Sequence, residues 1–441
     1  MHPVFQEITE MARVKLREAL SQQPDTLGEW DADSFEQEVK EFTRELGQTS
    51  LQLWAEARVQ QAEAQTIFCS CGERHQLKKY KEIWWLTTFG RIEVVEHYFF
   101  CPRCHTGDHP FQRLTGLHCR GKSRALQRAL TDFGAEKSFA QASRQLLEHY
   151  GVALHPSSVR QVVEGQAERA EKFVATRLQG IIQEYENEEC LRQGEPWLIV
   201  ETDGSMVRTG RLFPKLEGEL PAKRQLSKRR RETEWREVRL TTVQRVGVEE
   251  RVYGAVLGSP QKVGEQMFAL ALLSGWGDDT KVHGVGDGAP WISQQMKDVF
   301  FCCQYLLDRY HLLEHLYNGA GALPLNYPLS KEEWVNQQTE LIDRGEVKRA
   351  IASCYSLSDG SKEHALGKLA RYLDERQDYL GYAGARELGL PEGSGAVEGG
   401  HRHIIQARLK LPGTWWRKEM LNPMLALRTL RANGWWEEFW N

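Results

Sequence analysis

Apolar positions recur along this chain with two different periods, and the changes of period divide it into segments. From about Ser34 to Gln65 the residues Phe35, Val39, Phe42 and Leu46 follow one another at steps of four, three and four. Such steps line one face of a helix and predict an amphipathic arm over 1–65. The stripe is too short for a sustained heptad array, so it is expected to pack on its own domain. Around Glu82–Leu86 and Ile92–Phe100 the residues become β-branched and aromatic, with Gly90 between them. This predicts a hairpin in a small β unit over 66–118. Helical spacing returns from Lys122 to about Lys172, with Ser138 as N-cap of one helix, Gly151 past its end and Pro156 opening the next. Two helices joined by a short glycine-containing turn match a helix-turn-helix, assigned to 119–175.

The second half changes character. Pro196–Asp203 reads as an apolar strand ending in an acid, Glu237–Val243 and Arg251–Leu257 as two further strands, and Glu265–Leu273 as a helix. Lys281–Asp287 is another strand ending in an acid and running into a helix, and Phe300–His311 is a fifth strand or strand–helix junction. About 312–389 reads as a helical insertion before a last basic helix that opens near Gly395. The expected fold is α/β, mixed α+β overall, with a helix-covered mixed sheet over 190–441.

Hydrophobic content of 41% and charged content of 27% are those of an ordinary globular chain, and 441 residues suggest about three units. The net charge of −4 excludes a uniformly basic nucleic-acid coat. Cations nevertheless cluster at Lys223, Arg224, Lys228, Arg229, Arg230 and Arg231, on a predicted loop between the first two strands, where phosphate contact is expected. Nine cysteines, an odd number, with no apolar leader at the N-terminus point to a reducing cytoplasm rather than a disulfide framework. No apolar run reaches transmembrane length, so a soluble protein is expected.

Four cysteines form two close pairs, Cys69 with Cys71 and Cys101 with Cys104, at the ends of the predicted hairpin. They make a candidate tetrahedral zinc site of zinc-ribbon type. Cys101-x-x-Cys104 has the usual spacing, whereas Cys69-x-Cys71 is tight, which leaves His75, His105 and Cys119 as substitutes. Ser157, Ser158, Arg160 and Gln161 head the second helix of the helix-turn-helix, where base-contacting residues sit. Asp203 and Asp287 are each followed by glycine, and ligand sites in α/β sheets favour strand carboxyl ends. Glu398 opens a helix that also carries Arg402, Arg408 and Lys410. If the fold brings the three acids together, they can hold two magnesium or manganese ions about 3.5–4 Å apart for in-line attack on a phosphodiester. The bland alternatives are turn Asp-Gly pairs and a helix-dipole role for Glu398. Trp415, Trp416, Trp435, Trp436 and Trp440 can stack on unpaired bases, but a cluster near a terminal helix is expected mostly in the core.

The blocks Glu201-Thr-Asp203-Gly-Ser-Met-Val, Gly286-Asp287-Gly-Ala-Pro-Trp-Ile, Leu307-Asp308-Arg-Tyr-His311, Val397-Glu398 and Gln406-Ala-Arg-Leu-Lys-Leu-Pro-Gly-Thr-Trp-Trp416 together resemble the DDE transposases of bacterial insertion sequences, in particular the ISKra-type group. The resemblance covers most of the chain, including the Cys101-Pro-Arg-Cys104 block. It implies a ribonuclease-H-like core interrupted by a helical insertion, with Asp203, Asp287 and Glu398 as the metal-binding triad. It further implies binding of double-stranded transposon ends, cleavage by water, strand transfer by the freed 3′-hydroxyl, and synapsis by a homo-oligomer. Asp308 and His311 resemble the Cys/Asp-x-x-His element of Mutator-like transposases, which makes Asp308 a rival second ligand and, by preference, a supporting residue. A non-catalytic DNA-binding regulator and a stand-alone metal nuclease are the competing functions.

Overall fold

Thr87 and Gly90 close the first hairpin, because Gly90 adopts φ 123°, a region open to glycine, and the Thr87 hydroxyl donates to its carbonyl at 2.9 Å. Strands β1 (Gln76–Thr87) and β2 (Gly90–Phe100) pair antiparallel over their whole length. Alternation buries Ile83, Trp85, Ile92 and Val94 on one face, where they pack with Phe111 and with Ala55 and Val59 of helix α1 (Ala32–Ala64). Helix α1 runs straight through Gly47, where a side chain would collide with the Phe89 ring at 2.4 Å. The expected stripe does not make this contact. Val39, Phe42 and Leu46 are exposed, Phe42 by 55%, and the small residues further along make the docking face. Short strands β3 (Gly107–Asp108) and β4 (Gly121–Lys122) complete a sheet of order β3-β2-β1-β4, with α2 (Pro110–Thr115) between them in sequence.

The computed structural model describes residues 6, 9–10, 12–14, 17–18, 31–214, 229–358, 361 and 363–441. The chain divides into two units, Met1–Leu130 with Ser143–His155, and Thr131–Ala142 with Pro156–Asn441. Helices α3 (Arg124–Glu136) and α4 (Phe139–Tyr150) cross the division, and α5 (Pro156–Glu186) follows. Ser138 caps α4 by accepting the Gln141 N–H at 3.3 Å, and Gly151 past its end has φ 65°. Helix α5 is 31 residues long and buries Val159, Val163, Ala167, Ala170 and Val174, so most of it is scaffold.

The second unit is built on β5 (Trp197–Pro214), β6 (Arg229–Arg245), β7 (Arg251–Val256), β8 (Lys281–Gly286) and β9 (Cys303–Leu307), in the order β7-β6-β5-β8-β9. The β5–β6 and β6–β7 pairs are antiparallel, whereas β5–β8 and β8–β9 are parallel. Parallel neighbours need crossovers, which α6 (Pro260–Leu273) and α7 (Pro290–Val299) supply. Their faces, Val263, Met267 and Leu270 with Ile292 and Met296, cover Leu198, Val200 and Val282 of the sheet. A helical segment follows as α8 (Arg309–Ala320), α9 (Lys331–Asp343), α10 (Val347–Leu357), α11 (Ala365–Glu375) and α12 (Tyr382–Glu387). Its core, which includes Leu312, Trp334 and Leu369, extends to Leu306 and Leu307 of β9. The chain then returns to the sheet through α13 (Gly395–Gly400), a π-helical turn His401–Gln406 and α14 (Ala407–Leu409), before α15 (Leu421–Ala432) and α16 (Trp436–Trp440). The described residues form a mixed α+β structure with two sheets.

Candidate functional site

The two cysteine pairs lie on two tight turns. The Gly72 N–H donates to the Cys69 carbonyl at 2.9 Å, and the His105 N–H to the Cys101 carbonyl at 3.0 Å. These turns bring the sulfurs of Cys69, Cys71, Cys101 and Cys104 within 4.8 Å of one another, with Cys71 and Cys101 3.6 Å apart. The tight Cys-x-Cys spacing therefore still completes the quartet, a set that can hold zinc. Two substitutes are engaged elsewhere: His75 Nδ1 contacts the Thr66 carbonyl at 2.8 Å, and the Cys119 thiol faces the Glu82 carbonyl at 3.7 Å. The backbone N–H of Cys71 pulls the Cys69 thiol down to about 6, and hydrogen bonding with Cys71 pushes Cys104 up to about 12. A cation would replace the protons these thiols share. All nine cysteines are free of disulfides.

In the second unit, three acids line the carboxyl edge of three adjacent parallel strands. Pairing of β5 with β8 stops at Glu201 and Val285, and pairing of β8 with β9 stops at Gly286 and Leu307. Asp287 and Asp308 are the next residues of their strands, and Asp203 lies two beyond on β5. Asp203 does not end its strand as the sequence suggested. β5 continues to Pro214 as a ribbon with β6, and the departure of β8 is what opens the edge at Asp203. Asp287 accepts the Ala289 N–H at 2.8 Å at the start of α7. Burial raises its carboxyl against the pull of the Ala289 N–H, and the charge of Asp203 adds to the rise while His311 opposes it.

Glu398 reaches this region on the returning helix. Its side chain is 67% exposed and pairs with Arg402 at 2.8 Å. With side chains as they stand, Asp203, Asp287 and Glu398 do not bring their ligand atoms within 4.8 Å; among the described residues the cysteine quartet alone does so. One turn beyond Glu398, buried His401 brings Nε2 to 3.4 Å from the Asp203 carboxylate. A side chain at Gly400 would meet Leu240 at 2.8 Å and Tyr253 at 3.1 Å, so glycine permits the close approach of helix to sheet. Asp308 is buried, with one oxygen accepting the His311 N–H at 3.0 Å and the other accepting the N–H and hydroxyl of Ser394. Both oxygens are thus engaged by protein donors, which suits a supporting role. Sequence reasoning passed over Glu201 as part of an apolar strand. It is 3% exposed and accepts the Val397 N–H at 2.8 Å, and burial pushes its carboxyl up to about 7 against the pull of the Val397 and Ala396 N–H groups.

The residues expected to contact DNA separate into three groups. Ser157, Ser158, Arg160 and Gln161 at the head of α5 line a cleft of about 1130 Å³ together with Arg211 of β5, Trp415 and Arg417. Arg417 and Arg160 both approach Glu164 there, at 2.8 and 4.0 Å. Arg402 and Lys410 are exposed beside the acids. Arg408 is not. It is 2% exposed, donates to the Gly134 carbonyl at 2.8 Å, and lies between the Phe139 and Trp416 rings at 4.6 and 4.7 Å. It is a packing residue, because the π-helical turn carries it to the buried face. Arg230 and Arg231 lie on β6 rather than a loop, and Glu232 closes on Arg230 at 2.6 Å. Arg229 opens the same strand, and Lys223, Arg224 and Lys228 lie outside the described residues. Trp416 and Trp440 are buried, and Trp435 and Trp436 lie under Arg177 and Arg431, so the terminal aromatics serve packing while Trp415 lines the cleft.

No family model matches this chain. It is similar to a UPF0236 protein in the vanSb 3′ region of Streptococcus gallolyticus, 28% identical over 137 residues, which cover 31% of this chain and 29% of that protein. It is likewise similar to UPF0236 proteins of Caldanaerobacter subterraneus subsp. tengcongensis, one of them 26% identical over 165 residues, 35% of this chain and 31% of that protein. The chain thus matches less than a third of the length of each of these two relatives. A chain in the crystal structure of the Mos1 strand transfer complex aligns at 14% identity over 61% of this chain and 83% of its own, with a TM-score of 0.15, too low to bear on fold or function. Among the described residues no helix is long and apolar enough to cross a membrane.

Proposed function

We propose that this chain is a DNA transposase with a ribonuclease-H-like core, which binds the double-stranded ends of its own element and performs divalent-metal-dependent strand cleavage and strand transfer. The observation that carries this reading is the convergence of the sequence blocks on one edge of the second sheet. Three antiparallel and two further parallel strands run in the order β7-β6-β5-β8-β9, Asp203 and Asp287 lie at the carboxyl edge, and the helix bearing Glu398 returns to β5 after a helical insertion. Asp203, Asp287 and Glu398 are the residues that would hold magnesium or manganese, because carboxylate oxygens are the hard donors these ions take. Such ions supply a deprotonated attacking oxygen and charge neutralisation at the phosphodiester. Rotation of Glu398 away from Arg402 brings its carboxylate into play and frees that guanidinium for a phosphate. Exposed Lys410 holds a second phosphate oxygen beside Asp203, and the head of α5 contacts duplex through Ser157, Ser158, Arg160 and Gln161. The cysteine quartet holds zinc in a structural role.

The test is incubation of the full chain with duplex DNA taken from both flanks of its own coding sequence, with magnesium and then manganese. Nicked and joined products, absent with a chelator, are expected. Binding without either product would leave a DNA-binding regulator, and cleavage without joined product a metal nuclease.

A further inference from the structure

The helix that bears Glu398 starts after a long helical insertion, yet its first turn is anchored to the sheet by two buried carboxylates. Glu201 of β5 accepts the Val397 N–H at 2.8 Å, and Asp308 after β9 accepts both the N–H and the hydroxyl of Ser394, the hydroxyl at 2.7 Å. The first N–H groups of a helix have no partner within it, so these acceptors satisfy donors that would otherwise be left unbonded in a water-poor site. Glu201 is 3% and Asp308 4% exposed, which makes both geometries stiff. Each anchor comes from a strand whose edge is part of the candidate site: Glu201 stands two residues before Asp203, and Asp308 follows the strand beside Asp287. One turn on, His401 meets Asp203 at 3.4 Å, and Gly400 lies against Leu240 and Tyr253. The rotation of this helix about its axis is therefore set from its first turn.

We infer that Glu201, Asp308 and Ser394 form a clamp that fixes the register of the Glu398 helix on the sheet, so that Glu201 and Asp308 are positioning residues rather than metal ligands. This rests on the reading of Glu398 as the third ligand only for its effect on activity. The clamp itself is a structural claim. A buried carboxyl oxygen that accepts these N–H groups does for this helix start what a hydroxyl cap does elsewhere, because each bond removes the cost of an unpartnered buried donor. Its isosteric amide keeps an oxygen at the same place, whereas alanine leaves the N–H without a partner.

The experiment compares Glu201→Gln, Glu201→Ala and Ser394→Ala in the full chain by amide hydrogen exchange of the 394–409 segment, with β5 and β6 as internal reference. DNA binding and strand cleavage are measured on the same preparations. The expected result is exchange about tenfold faster over 394–409 in Glu201→Ala and Ser394→Ala, as loss of a buried hydrogen bond would give. Cleavage falls by a similar or larger factor, DNA binding stays within about twofold, and Glu201→Gln stays near the parent in all three. Unchanged exchange in both Glu201→Ala and Ser394→Ala overturns the clamp. So does a Glu201→Gln chain as inactive as Glu201→Ala with unaltered exchange, since Glu201 would then act on the reacting atoms. If the parent neither cleaves nor joins DNA, the transposase reading fails, and the exchange measurement still decides the clamp. Ser394→Ala keeps the backbone donor and serves if Glu201→Ala does not fold.

Discussion

The cysteine quartet and the acid edge are both candidate metal sites, and they are assembled in opposite ways. Each half of the quartet is made by a turn of a few residues, and a single hairpin with Gly90 at its tip brings the halves together. The acid edge is drawn from β5, from the ends of β8 and β9, and from a helix on the far side of an insertion. It needs buried carboxylates, a glycine contact and a π-helical turn to hold its last member. The quartet is ready to bind, with all four sulfurs within 4.8 Å, whereas Glu398 is turned to Arg402. A structural ion is served by ligands that are local and converged. In the catalytic site proposed above, the last ligand would have to leave its ion pair with Arg402 before it could serve.

The comparison is broken most severely by removing the first metal. Cys101→Ser with Cys104→Ser should reduce bound zinc to background and open the 69–122 segment to limited proteolysis, since structural zinc contributes apparent free energies of about 10–16 kcal/mol. Elemental analysis and mapped cleavage sites check this, and unchanged metal content would reject the site. Next in size, Asp203→Asn, Asp287→Asn or Glu398→Gln should each lower strand cleavage by about 10³-fold, roughly 4 kcal/mol of barrier, while melting temperature and DNA binding hold. Full activity in one of them would remove that residue from the triad. Smaller still, Arg408→Ala should cost ~2–4 kcal/mol of stability in denaturant unfolding, because it empties the space between Phe139 and Trp416 and leaves the Gly134 carbonyl without its donor. Arg402→Ala should cost no more than ~0.5 kcal/mol and weaken DNA binding instead, as befits an exposed pair. Smallest, Phe42→Ser should change stability by less than ~0.5 kcal/mol, because its ring lies on the exposed stripe of α1 and not on the face that docks. A large loss there would mean that the stripe is covered.

Elements whose causes are local are legible in the sequence. The hairpin at Gly90, the Ser138 cap, Gly151 past its helix, and β7 and β8 follow from turn chemistry and short apolar runs that end where pairing ends. The long ribbon of β5 and β6 was under-read. Its outer half carries Arg230, Arg231, Glu232 and Glu234 on an open surface, so it shows no apolar alternation, and a basic loop was expected where a strand begins. The burial of Arg408 is hidden from its sequence for a related reason. A helical stretch does not state which face meets the core, and the π-helical turn at His401–Gln406 shifts that face.

Residue identity alone determined which donors are available. Soft thiolates occur in two close pairs, hard carboxylates stand before glycines, and the distances along the chain make the first set local and the second dispersed. Tertiary structure decided which carboxylates are tied to the returning helix. Glu201 and Asp308 have the same chemistry as Asp203 and Asp287, yet the first two accept N–H groups of a returning helix while the latter two accept those of their own neighbours, Gly204 and Ala289. The reason is physical. A helix start without internal partners must take acceptors from whatever it packs against, and only the fold determines what that is.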